Sequence, residues 1–161
     1  MSRMGRGADP ISVLTALLST DGALDRSCRS CYELRLHRAR GYGALKAILD
    51  ILADEEPLTL TEISLRLHRT PGSTKDYLSW LEDVDLVAAH KKRYSFTDPL
   101  LRLWVVLHCQ PTPPTDEEVA HEVQRYALVR VPHSEEPAAV AYATEEATPE
   151  ERKGWGIIEI D

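Results

Sequence analysis

The reading of the fold turns on Arg69-Thr-Pro-Gly-Ser-Thr-Lys-Asp-Tyr-Leu-Ser-Trp-Leu81, RTPGSTKDYLSWL. Thr70 followed by Pro71 is a helix start: the hydroxyl accepts an orphan backbone N–H, and proline fits the first helical position, where no N–H is needed. Tyr77, Leu78 and Leu81 recur at helical spacing and predict a buried face. That assignment leaves Ser73, Thr74, Lys75 and Asp76 as the exposed amino-terminal surface. The next residues, EDVDLV, add Glu82, Asp83 and Asp85, so the surface around this helix carries mixed charge.

Working outward, the preceding LTLTEISLRL pairs Thr59 with Glu62 in a capping-box pattern and turns Leu60, Ile63 and Leu67 inward. Before it, YGALKAILDILADEE sets Leu45, Ile48, Leu49 and Leu52 on one helical face, closed by Pro57. After Leu86 the period changes to two. VAAHKKRYSFTD predicts two short strands around Lys91-Lys92, with Tyr94 and Phe96 on one face and Ser95 on the other. Asp98-Pro99 then starts a helix whose Leu100, Leu103, Trp104 and Leu107 share a face. Three helices, a small β-hairpin and a further helix form the order of a winged helix-turn-helix. The predicted fold is therefore mainly α, with a winged-helix domain over residues 42–110.

The flanks are simpler. Asp9-Pro10 opens a short helix with Ile11, Leu14, Leu17 and Leu18, and ALDRSCRSCYELRLHRAR continues helically with Leu24, Cys28, Cys31 or Tyr32, and Leu36 on one face. Residues 1–41 thus form a helical segment that ends at Gly41 and Gly43. Residues 111–161 divide into a stiff linker, QPTPPTDEE, a short amphipathic helix in DEEVAHEVQRYALVRV, and an alanine-rich, acidic, partly disordered tail. The terminal WGIIEID is apolar enough to dock against a folded surface.

The net charge of −7 conceals a gradient. Residues 1–41 carry +3, residues 42–110 carry −2 and residues 111–161 carry −8. A self-sufficient nucleic-acid binder usually has a clustered basic face, which this distribution does not favour. No run approaches the roughly 20 apolar residues of a membrane span, and MSRMGRGADP lacks the apolar centre of a signal peptide. With three cysteines and no framework spacing, the expected location is the reducing cytoplasm.

Catalytic constellations are not evident. Cys28-x-x-Cys31 with His37 would need His108 or Cys109 from a distant helix to complete a tetrahedral zinc site, and two small residues on a buried helix face is the simpler reading. GRGADP and GYGALK lack the lysine and hydroxyl of a phosphate-binding loop, and no Gly-x-Ser-x-Gly turn presents an activated serine. Glu55-Glu56, Glu117-Glu118 and Glu145-Glu146 read as solvated pairs rather than acid–base dyads. No cofactor, no metal and no enzymatic activity are expected.

From GYGALKAILDILADEEPLTLTEISLRL through STKDYLSWLEDVDLV to KKRYSFTDPLLRLWV, the chain resembles the winged-helix region that follows the nucleotide-binding domain in prokaryotic AAA/STAND-type ATP-binding proteins, including the archaeal-type ATPases. The YSFTDPLLRLW segment carries most of the likeness, because transcription regulators share the three helices and usually lack that ending. The resemblance implies that residues 10–41 correspond to a helical lid preceding the winged helix. The ATPase domain itself has no counterpart here, so no catalytic residue is transferred.

Two functions follow as expectations. The first is a non-catalytic module that contacts a protein or a separate ATPase domain, with double-stranded DNA as a further partner and no membrane. The second is a stand-alone DNA-binding transcriptional regulator. In that case Ser73, Thr74 and Lys75 meet bases or phosphates while the wing residues Lys91, Lys92 and Arg93, beside His90, clamp the backbone.

Overall fold

The computed structural model describes residues 9–37 and 39–130. The predicted acidic tail and its WGIIEID terminus therefore lie outside the described residues, as does the GRGA segment. Within the described residues the chain forms α1 (Pro10–Leu18), α2 (Ala23–Leu36), α3 (Tyr42–Asp54), β1 (Leu58–Thr59), α4 (Leu60–Leu67), α5 (Pro71–Asp83), β2 (Val87–His90), β3 (Arg93–Phe96), α6 (Pro99–His108) and α7 (Asp116–Arg130). The molecule is mainly helical, with one small antiparallel sheet of strand order β1-β3-β2. No helix among the described residues is long and apolar enough to cross a membrane.

The helix starts are written in the sequence and made in the structure. Asp9 accepts the Ser12 N–H at 3.1 Å, Thr70 accepts that of Ser73 at 3.4 Å, and Asp98 accepts that of Leu100 at 2.8 Å. At α4 both halves of the capping box form: Glu62 accepts the Thr59 N–H at 2.7 Å and Thr59 accepts the Glu62 N–H at 3.3 Å. An equivalent Thr115–Glu118 box, which the sequence reading passes over, starts α7.

α3 is the central helix. Leu45, Ile48, Leu49 and Leu52 are fully buried, and α4, α5, α6 and β3 pack around it. Each such leucine removed from water contributes roughly 2 kcal/mol of apolar transfer, which offsets the chain entropy lost in ordering the helix. The sheet covers one edge of this core through Leu58, Val87 and Phe96. Glu56 ties the sheet to α6, accepting the Phe96 N–H at 2.7 Å and pairing with Arg102 at 3.4 Å.

Four expectations are corrected. The hairpin has a third strand, since Leu58 and Thr59 pair with Tyr94 and Arg93; two residues are too few to show a period of two. α2 ends at Leu36, with His37 as its cap, rather than running on to Arg40. α6 has no single buried face: Leu101 and Val105 are buried together with Leu103, Trp104 and Leu107, because the helix lies between the central core and the flanking helices. α7 is not a short helix. It runs for 15 residues, packs on α1 and α6, and inserts Val119 and Val123 into the common core.

Candidate functional site

The six residues expected to contact DNA occupy two elements, the first turns of α5 and the β2–β3 tip. On α5 the structure contradicts the exposed placement of Thr74, which is fully buried. Thr74, Leu78 and Leu81 stand at i, i+4 and i+7, so the apolar face continues one turn further back than the hydrophobic residues mark it. The hydroxyl donates to the Thr70 carbonyl at 3.0 Å, which satisfies it within its own helix and lets it face the core. Ser73 is half-buried, while Lys75 and Asp76 are exposed. Tyr77 is also only half-buried: the Arg69 guanidinium lies 5.7 Å from its ring centroid, and its ring packs against Gly41. Gly41 has a φ of 85°, and a Cβ there would come within 2.7 Å of the Tyr77 ring, so glycine is required on both counts.

At the tip, His90 pairs with Arg93 and leaves Lys91 and Lys92 as a two-residue loop, both with positive φ, 48° and 63°. Asn-Gly is the usual solution for such a turn, and a non-glycine residue in this conformation costs roughly 1 kcal/mol. Both lysines are exposed. Arg93 is exposed as well, with part of its side chain engaged by the protein. Its register opposite Thr59 lays the guanidinium across β1, where it donates to the Pro57 carbonyl at 3.1 Å and lies 3.8 Å from Glu62.

The structure therefore leaves Ser73 and Lys75 on one element and Lys91, Lys92 and Arg93 on another, and among the described residues no hydrogen bond or ion pair joins the two groups. Asp76, Asp83 and Asp85 are exposed around the same helix. Sequence reasoning missed the cleft at the α4–α5 turn, about 550 Å³, lined by Ser64, Leu65, His68, Arg69, Thr70 and Ser73. Leu65 is 70% exposed there. Its signal was available, since it falls out of phase with Leu60, Ile63 and Leu67.

A second polar cluster lies inside the molecule, where α2 meets α6. Asp25 is fully buried and accepts the Trp104 indole N–H at 2.8 Å, the Asp21 backbone N–H at 2.9 Å and the Arg29 guanidinium at 3.1 Å. Burial pushes its carboxyl up, but the bonds from Trp104 and Asp21, with the nearby His108 and Arg29, outweigh it and hold Asp25 below its ordinary value. His108 donates from Nε2 to the Leu18 carbonyl at 2.8 Å, with Nδ1 3.8 Å from Asp25, and its ring stacks on Trp104. Trp104 and His108 thereby tie α6 to α2 and α1.

The cysteines are placed alongside it. Cys28 is buried on α2, and Cys109 lies half-buried at the end of α6. Burial raises both thiols to about 11, which keeps them protonated and weakly nucleophilic at neutral pH. Among the described residues no group of three or more histidine, cysteine or carboxylate side chains is arranged to hold a metal ion. Comparison of the chain with family models, curated proteins and solved structures gives no match, so its functional reading rests on its own residues.

Proposed function

We propose that the chain is a non-catalytic winged-helix module that works by contact with a protein, such as a separate nucleotide-binding domain. The order α3, β1, α4, α5, β2, β3, α6 supports the winged-helix reading. One observation carries the preference for a protein partner: the exposed surface of α5 and the turn after it sets Asp76, Asp83 and Asp85 beside a single lysine, Lys75. A helix entering a DNA groove gains affinity by displacing counterions from phosphates, and three carboxylates oppose that gain.

DNA binding stands as the second reading because Lys91 and Lys92 project from a tip that costs conformational energy to build, and Arg69 lies at the start of α5. Five cations, Arg69, Lys75, Lys91, Lys92 and Arg93, would give a slope of log affinity on log salt no steeper than about −4.5. Titrating a fluorescent mixed-sequence duplex against the chain at rising salt separates the readings. The protein-contact reading expects no saturable binding at physiological salt. Submicromolar binding there, with a slope that flattens by about one unit in Lys91→Ala, would overturn it in favour of the regulator.

A further inference from the structure

One cavity among the described residues plays no part in the reading above. It is a groove of about 590 Å³ between α6 and α7. Val106, Leu107 and Pro114 supply apolar surface, while Glu117, Glu118 and Glu122 supply carboxylates. No lysine or arginine lines it among the described residues. Glu118 is held by Thr115, and Glu122 by Arg125 at 2.8 Å, whereas Glu117 has no partner among the described residues. The groove therefore suits an occupant that is apolar and carries positive charge at one end.

We propose that this occupant is the chain's own segment Arg152-Lys-Gly-Trp-Gly-Ile-Ile158, docked within the same molecule. Its charge pattern complements the groove: Arg152 and Lys153 can face the glutamates while Trp155, Ile157 and Ile158 meet Val106, Leu107 and Pro114. The two are also the only adjacent basic residues beyond Arg130, in a region otherwise rich in glutamate. Gly154 and Gly156 flank the indole and let the backbone approach the groove closely.

The connection is long enough. From Glu118 in the groove to Arg130 at the end of α7 is roughly 18 Å of helix. The 21 residues from 131 to 151 have a root-mean-square span of roughly 25 Å as a flexible chain. Tethering at that range gives an effective concentration on the order of 1 mM, so even a contact with a millimolar intrinsic Kd is occupied about half the time. Docking would cover the α6–α7 face. It is independent of whether α5 contacts protein or DNA.

The test is fluorine NMR on the full chain carrying 5-fluorotryptophan. Its three tryptophans, Trp80, Trp104 and Trp155, give three signals, and Trp155→Phe identifies the third. Docking places the Trp155 signal away from its position in a free peptide of residues 150–161. Arg152→Glu combined with Lys153→Glu should return it to that position and leave Trp80 and Trp104 unmoved; these changes lie outside the described residues. Glu117→Lys should have the same effect from the groove side, and adding Glu117→Lys to the Arg152→Glu, Lys153→Glu chain should shift the signal back toward its docked position. A wild-type Trp155 signal at the free-peptide position, or one indifferent to the charge reversals, overturns the proposal. So does a signal that moves on dilution, which would assign the groove to the tail of a second copy.

Discussion

The Asp25 cluster and the β2–β3 tip both concentrate polar groups, and they treat them in opposite ways. Asp25 is removed from water and given a donor for nearly every lone pair, from Trp104, Asp21 and Arg29. Lys91 and Lys92 are left in water on a turn that lysine does not favour. The first arrangement stabilises the fold and closes the Asp25 carboxylate off from solvent. The second weakens the fold slightly and presents two charges. Polar density alone therefore does not mark a functional site; what matters is whether the groups are already satisfied.

The sharpest way to break this contrast is Asp25→Ala. It strands the Trp104 and Asp21 N–H donors in a buried site, and should cost about 3 kcal/mol in urea denaturation while leaving any partner binding through α5 unchanged in the folded fraction. The same group predicts a pH effect. The folded carboxyl titrates below its ordinary value of 3.8, so its contribution is complete above that value and is lost as pH falls through the lower folded value. The midpoint of urea unfolding in Asp25→Asn should accordingly fall less steeply with acid than that of the wild type.

A smaller loss, about 1 kcal/mol, is expected for Thr74→Val, because the valine fits the buried position and forfeits only the bond to the Thr70 carbonyl. If Thr74 met DNA instead, this substitution would change affinity more than stability, and parallel anisotropy and urea titrations would show it. Lys92→Gly should have the opposite sign, raising stability by roughly 0.5 kcal/mol by relieving the left-handed backbone. The same change should weaken whatever binds the tip. Lys75→Ala, on an exposed helical position, should leave stability unchanged within about 0.5 kcal/mol.

These residues also show how far the sequence could be read. The starts of α1, α5 and α6 were legible because an acid or threonine before a proline has one economical use, and α3 because its leucines keep a strict helical spacing. Asp25 was not legible: an acid in the first turn of a helix ordinarily faces solvent, and its burial depends in part on Trp104, which is distant in sequence. Thr74 was misplaced for a related reason, since its hydroxyl finds a partner in its own helix and needs none elsewhere. Arg93 could be assigned only once β1 was known, because Pro57 and Glu62 draw its side chain away from the tip. Of the exposed residues on these elements, Lys75, Lys91 and Lys92 were legible as exposed, whereas Leu65 and Arg69 were passed over.

The packing of α7 on α1 has a kinetic meaning. These helices join nearly the two ends of the described chain, whereas α4, α5, β2 and β3 meet close neighbours in sequence. Closing a long loop costs entropy before any contact is gained, so the local region has the cheaper route to structure, and α1 with α7 is the contact expected to form late and open early. Partial opening of the protein would then begin at the seam between its first and last helices. Amide exchange should be faster in α1 and α7 than in α3, with the helix-and-hairpin region persisting after the seam has parted.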